Sequence, residues 1–160
     1  MERAKVVCAE IDADFKKIFS RDYGLASSYL CEDADLILVT AGTIAGTCRV
    51  VADRARARGM KVGVLRIRMF RPFPGKQICE HLRTAKKVAV IDRDFSPGCG
   101  GIFAQEVKAV LQGFASHIPV YEFIAGLGGK DVTDKDIEKI IEQTRNTPNP
   151  GDTTWIGLLK

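Results

Sequence analysis

The sequence predicts an α/β fold, with a mainly parallel sheet covered by helices on both faces in a three-layer arrangement, and three observations carry that prediction. Short apolar runs with no polar alternation recur at Leu36–Ala41, Val62–Leu65, Val88–Ile91 and Val120–Ala125. This is how strands read when both faces are buried. Segments with helical spacing of apolar residues lie between them, long enough to cross from the end of one strand to the start of the next. The 160 residues, 46% of them apolar, suffice for one sizeable core.

Taken in order, the first run, Leu36-Ile37-Leu38-Val39-Thr40-Ala41-Gly42, is a buried strand ended by glycine. Cys48, Val51, Ala52 and Ala55 follow at i, i+3, i+4 and i+7, the stripe of a helix, and Gly59 stops it before the strand at Lys61–Leu65. A second unit starts after Arg71-Pro72-Phe73-Pro74-Gly75. Ile78, Cys79 and Leu82 face inward on a short helix, and Lys87–Ile91 is the next strand. The turn Ser96-Pro97-Gly98-Cys99-Gly100-Gly101 leads into a helix with Phe103, Val107, Val110, Leu111 and Phe114 on one side. The last strand, opened by Ile118-Pro119-Val120, empties into Gly126-Leu127-Gly128-Gly129-Lys130-Asp131. Thr133 and Asp136 have the spacing of a capping box, and Ile137, Ile140, Ile141 and Thr144 form the stripe of the final helix.

The ends read differently, which divides the chain into a helical lead-in (1–34), the α/β domain (35–145), and a linker with an apolar tail (146–160). Ile11, Phe15, Ile18 and Phe19 have the spacing of an amphipathic helix in the lead-in. The tail Trp155-Ile156-Gly157-Leu158-Leu159 would either tuck onto its own domain or dock on a partner.

Charge and cysteine usage narrow the function. No apolar run approaches the ~20 residues of a membrane span, and a soluble, cytoplasmic protein is expected. Five cysteines (Cys8, Cys31, Cys48, Cys79, Cys99) are widely spaced, with no Cys-x-x-Cys. Clustered-cysteine iron–sulfur and zinc sites are therefore not expected, nor is a histidine-rich site from His81 and His117 alone. Free thiols in a reducing compartment are expected. Cys99, in a glycine-rich turn before a helix, is either a thiol activated by that helix or an idle one. The net charge is +4, and eight basic residues against one acid lie between Arg49 and Arg71. That segment suits nucleic acid by charge alone, but Arg54, Arg56 and Arg58 also suit a solvated helix face.

Three constellations remain as candidate sites. Three glycines within four residues at 126–129 make either a phosphate cradle or a tight contact loop, with Gly128, Gly129, Lys130 and Asp131 as the candidate contacts. Neither Gly-x-Gly-x-x-Gly nor Gly-Lys-Ser/Thr is present, which favours the contact loop. Arg66 and Arg68 break the apolar pattern of their strand, so something must answer them: Asp92 and Asp94, a partner's acidic surface, or a phosphate-bearing ligand. Phe70-Arg71-Pro72-Phe73-Pro74 holds an arginine between two aromatic rings in a segment stiffened by prolines. Arg71 and Phe73 are either recognition residues or parts of a turn whose Phe73 plugs the core. Thr43, after Gly42 at a strand end, is a further candidate contact.

Several of these motifs together resemble a known family. Arg21-Asp22-Tyr23-Gly24, Glu32-Asp33-Ala34-Asp35 leading into Leu36–Gly46, Val64-Leu65-Arg66-Ile67-Arg68-Met69-Phe70-Arg71-Pro72-Phe73-Pro74 and Ala125-Gly126-Leu127-Gly128-Gly129-Lys130-Asp131-Val132-Thr133 are similar to the C-terminal domain of the α subunit in the pyruvate:ferredoxin oxidoreductases (pyruvate synthases) of the 2-oxoacid:ferredoxin oxidoreductase family. The resemblance covers nearly the whole chain. It implies a fold like the transketolase C-terminal domain and a non-catalytic assembly role beside a thiamine diphosphate site built by other domains and subunits. For the complete enzyme it implies thiamine diphosphate, iron–sulfur clusters, CoA and ferredoxin, converting pyruvate to acetyl-CoA or the reverse. The family's diphosphate-binding Gly-Asp-Gly motif does not occur here, so no cofactor is expected on this chain alone. Its partners would be the thiamine-binding domain and the other oxidoreductase subunits, with no nucleic acid or membrane. Two alternatives share the fold: a module binding CoA or another phosphate compound at Gly42-Thr43, Gly98–Gly101 or the Gly126 loop, and the C-terminal domain of a transketolase-like or 2-oxoacid dehydrogenase subunit.

Overall fold

A computed structural model describes residues 2–157 of the chain. A helix, α1 (Glu2–Phe19), precedes a sheet whose elements run β1 (Ala26–Tyr29), β2 (Leu36–Ala41), α2 (Ile44–Ala57), β3 (Val62–Ile67), α3 (Gly75–Leu82), β4 (Lys87–Asp92), α4 (Ile102–Phe114), β5 (Val120–Ala125), α5 (Asp134–Asn146) and β6 (Thr154–Ile156). The strands lie in the order β1-β3-β2-β4-β5-β6, and every pairing is parallel except the antiparallel edge strand β1. After the edge strand β1 the chain enters the middle of the sheet with β2, builds outward through β3, then returns to the other side of β2 for β4 and β5. The C-terminal ends of β2 and β4 therefore mark the switch point of the sheet.

Alternation along the strands sends side chains into two separate cores. Ile37, Val39, Leu65, Ile67, Val88 and Val90 meet Ile78 and Leu82 of α3 and Ala104, Val107 and Leu111 of α4. Leu36, Leu38, Val64, Ala89 and Ile91 face the other way, onto Cys48, Val51 and Ala55 of α2 and Ile137, Ile140 and Ile141 of α5. This two-sided burial explains why the strands read as continuous apolar runs, and it confirms the expected three layers. α5 begins at the expected capping box: Thr133 Oγ1 accepts from Asp136 N at 3.3 Å, and an Asp136 carboxylate oxygen accepts from Thr133 N at 2.9 Å. At its other end, Lys87 Nζ donates to the carbonyls of Thr144, Arg145 and Thr147 at 2.7–3.0 Å. These would otherwise be the open acceptors of the last turn.

Both ends contribute strands that apolar patterning did not show. β1 is four residues long and carries Ser27 and Ser28, and β6 is only three residues long. β6 lies parallel to β5, with Trp155 packed 4.7 Å from Phe95, so this part of the tail folds onto its own sheet. Leu158 and Leu159 of the expected tail lie outside the described residues. α1 forms where its stripe predicts, but none of its residues is buried, and Ile11, Ile18 and Phe19 are more than half exposed. Asp12 ties it to the next segment by accepting from the backbone N–H groups of Tyr23 and Gly24 at 2.8 and 2.9 Å.

Candidate functional site

Because β2 to β5 are parallel, the segments following them all emerge along one edge of the sheet. In spatial order they are Arg68–Phe73 after β3, Gly42-Thr43 after β2, Arg93–Gly101 after β4, and Gly126–Asp131 after β5. Every candidate contact residue lies on or next to this edge, but they do not form one site. β3 and β5 are three strand spacings apart, roughly 14 Å, which separates Arg66 and Arg68 from the glycine loop. Between them, at the switch point, a cavity of about 270 Å³ is lined by Thr40, Ala41, Gly42, Ile91, Arg93, Asp94 and Phe103.

Two carboxylates beneath this edge fill the positions where an anionic ligand would bind. Asp92, almost completely buried at the end of β4, accepts from the N–H groups of Phe103 and Ala104 at 3.0 Å each, in the first turn of α4. Glu122, buried on β5, accepts from Gly101 N at 2.6 Å, from Lys108 Nζ at 2.7 Å and from Thr153 Oγ1 at 3.0 Å. The N-terminus of a helix is a ready anion site, and here the chain's own side chains occupy it. The glycines make this possible: a Cβ at Gly101 would sit 2.2 Å from Asp92 Oδ2, and one at Gly100 would sit 2.2 Å from Glu122 Oε1. The loop at 98–101 is therefore a close contact to carboxylates already present in the fold.

The two acids differ in electrostatics. Burial pushes Asp92 from its ordinary 3.8 up to about 7, against the two α4 amides, and the neighbouring Asp94 pushes it further in the same direction. Burial acts on Glu122 too, but the Lys108 ammonium, the Gly101 amide and the Thr153 hydroxyl together hold its carboxyl below the ordinary range. Sequence reasoning missed both roles. Glu122 had a signal, since it is a lone charge inside the run Val120–Ala125.

The glycine loop is a short 3₁₀ turn, Leu127–Gly129, with positive φ at Gly126, Gly128 and Gly129. Its crowding is not where the sequence placed it. A Cβ on Gly126 would lie 2.8 Å from Val132, whereas Gly128 and Gly129 face open space. Lys130 reaches the carbonyl of Gly157 and so clamps the β6 segment, while Asp131 is exposed. Thr43 is exposed at the start of α2 and makes no side-chain cap.

Arg66 and Arg68 are not paired with Asp92 or Asp94, because β2 lies between β3 and β4 and Asp92 turns toward α4. Arg68 stacks its guanidinium 4.9 Å from the Tyr23 ring, and Arg66 lies on the α2 side of β3. Arg71 pairs with Glu106 at 2.6 Å and lies over the Phe70 ring, while Phe73 packs, partly buried, against the core beneath α3 and α4. That packing is what the plug reading of Phe73 expects. Burial raises the thiols of Cys31 and Cys79 and pushes Cys48 up to about 12, which disfavours their thiolates. Cys99 and His117 are exposed and His81 is partly so. Among the described residues, no group of three or more His, Cys, Asp or Glu is placed to hold a metal ion.

The chain has counterparts among known proteins. The pyruvate synthase subunit PorA of Methanothermobacter thermautotrophicus is 41% identical over 158 residues, 99% of this chain and 40% of that protein. PorA of Pyrococcus furiosus is 37% identical over 99% of this chain and 41% of its own length. The ketoisovalerate oxidoreductase subunit VorA of Pyrococcus horikoshii is 36% identical over 94% of this chain and 38% of its own length. The chain thus spans about two fifths of the length of these curated relatives. Among solved structures, a split-gene transketolase described as an inactive beta4 tetramer superposes with a TM-score of 0.61 at 17% identity, covering 78% of this chain and 43% of that one. A 2-oxoglutarate:ferredoxin oxidoreductase from Magnetococcus marinus gives 0.58 at 22% identity, covering 76% of this chain and 20% of that one. These two establish the transketolase C-terminal-like fold. The family profile described as pyruvate:ferredoxin oxidoreductase core domain II matches residues 34–137, the body of the sheet with the edge just described. The chain belongs to the pyruvate:ferredoxin oxidoreductase core domain II family.

Proposed function

We propose that this chain is an assembly domain of a pyruvate:ferredoxin oxidoreductase α subunit, supporting from outside a thiamine diphosphate site that other domains and subunits build. The complete enzyme would oxidatively decarboxylate pyruvate to acetyl-CoA with ferredoxin as electron acceptor, or run the reverse synthesis. One observation carries the assembly role: Asp92 and Glu122 fill the helix N-terminus at the edge where an α/β sheet would otherwise take an anion. With those amides engaged and no Gly-Asp-Gly in the chain, the start of α4 does not fit a diphosphate. The described residues also lack the clustered cysteines an iron–sulfur centre requires. The chain's own residues supply shape and contact: the glycine turns keep the edge low, and Lys130 and Arg71 hold its outer segments in place.

The test has two arms. Calorimetry of the purified chain with thiamine diphosphate and with CoA should show no binding at micromolar concentration. Mixing with the thiamine-binding domain and the remaining oxidoreductase subunits should yield a stable complex that reduces ferredoxin with pyruvate, while omission of this chain should abolish that activity. Micromolar binding of thiamine diphosphate or CoA to the chain alone would overturn the assembly reading. So would full activity of the other subunits without it.

A further inference from the structure

Four arginines of the basic stretch find acids within the fold: Arg54 pairs with Asp134, Arg56 with Asp33, Arg58 with Glu138 and Arg71 with Glu106. Arg49, Arg66 and Arg68 have no such ion pair among the described residues, and the three are neighbours. Arg66 is the cross-strand partner of Ser27 in the β1–β3 pairing, so the two side chains share the α2 face. Tyr29, two residues further along β1, is on that face too, and the guanidinium of Arg49 from α2 lies 5.1 Å from its ring. Arg68 continues the line past the end of β3, over Tyr23. The acids closest by are engaged elsewhere: Asp53 accepts from the Tyr29 hydroxyl at 2.8 Å, and Asp12 accepts from the backbone of Tyr23 and Gly24.

Three buried polar atoms without a partner mark the same corner: Ser27 Oγ, Arg49 Nε and Arg66 Nε. Orphaned buried donors carry a desolvation cost that a folded chain ordinarily removes. Here the positive charge is left in place. The surroundings indicate what would cover it. Arg49 and Arg68 lie against tyrosine rings, and Val50 beside Arg49 is half exposed. Arginine and tyrosine with scattered aliphatic surface is the composition of protein interfaces.

We propose that Arg49, Arg66 and Arg68, with Ser27, Tyr23 and Tyr29, form a docking corner for an acidic surface of a partner subunit of the oxidoreductase. The inference rests on the assembly role proposed above. Carboxylates arriving there would accept from the guanidinium forks and neutralise three like charges at once. The mutual repulsion is visible in Arg68, whose guanidinium is held below its ordinary value first by burial and then by Arg66 and Arg49.

The test measures association of the chain with the co-expressed remaining subunits, by sedimentation at low and high salt, for the wild type and for Arg49→Met, Arg66→Met and Arg68→Met. Binding of the wild type should weaken with salt, and each variant should bind about tenfold more weakly or worse while melting no earlier than the wild type. Arg68→Met, at an exposed position, keeps the test open if Arg66→Met does not fold. Unchanged association of all folded variants overturns the docking corner but leaves the assembly role standing. A wild type that binds no subunit removes both. A parallel titration with inorganic pyrophosphate covers the remaining case. Binding that Arg66→Met abolishes, with subunit association intact, would make the corner a small-anion site and overturn the inference.

Discussion

On the β4–β5 side of the sheet, two buried carboxylates have both oxygens engaged by amides, a lysine and a hydroxyl, whereas on the β1–β3 side three guanidiniums share a corner with no ion pair to any of them among the described residues. Both regions lie at the same edge, and both put charge where a parallel sheet is otherwise apolar. The difference lies in what completes them. Asp92 and Glu122 are completed within the chain, so they belong to its stability. Arg49, Arg66 and Arg68 are left incomplete, so they should contribute little to stability and much to association. Substitutions on the two sides should therefore separate folding from assembly.

The largest loss is expected for Gly101→Val. Its Cβ would fall 2.2 Å from Asp92 Oδ2, so the carboxylate must leave the α4 amides or the loop must open. The cost should be about 3 kcal/mol, from overpacking plus buried hydrogen bonds left unmade, measured by urea unfolding. A loss below about 1 kcal/mol would mean that the carboxylate side is not a fixed element of the fold.

The next effect is a pH dependence. Below its ordinary range Asp92 is protonated in both folded and unfolded chains; between that range and about 7, only the folded chain keeps the proton. Its contribution is therefore fully present at low pH and is lost progressively as pH rises from that range through about 7. Glu122, held below the ordinary range, works in the opposite sense and loses its contribution as pH falls through that range and below. Unfolding free energy measured from about pH 4 to pH 8 should fall in the wild type and be flatter in Asp92→Asn. Parallel profiles for the two proteins would remove Asp92 as the cause.

A smaller effect is expected for Gly128→Val. Its φ of 64° is strained for a β-branched residue, but open space around it leaves strain as the only cost, about 1–2 kcal/mol. Gly126→Val should cost more, because Val132 and Arg93 crowd that position as well. Comparing the two melting temperatures checks the order, and a reversal would place the tight contact at Gly128 rather than Gly126. The smallest change is expected on the arginine side: Arg66→Met should shift stability by no more than about 0.5 kcal/mol, since no ion pair is lost. A large destabilisation there would make Arg66 a structural residue like Glu122 and erase the contrast.

How much of this was legible in the chain depends on the range of the interactions involved. The runs at Leu36–Ala41 and Lys87–Asp92, the helix stripe at Cys48–Ala55 and the capping box at Thr133 and Asp136 were all readable. Each is a local pattern, fixed by the period of a strand or helix or by the reach of one side chain to a nearby amide. The motifs after β3 and β5 also carried the family resemblance. Only the tertiary structure decided which charges are answered. Asp92 and Asp94, leaving a neighbouring apolar run, are among the answers the sequence offers for Arg66, but strand order is a non-local property, and β2 stands between them. Arg54 reaches Asp134 across eighty residues of sequence while Arg66 pairs with no acid among the described residues, and no local pattern distinguishes the two. The edge strands β1 and β6 were hidden for the same reason: at four and three residues they are too short to show a period, and they exist because a neighbouring strand offers open backbone groups to pair with.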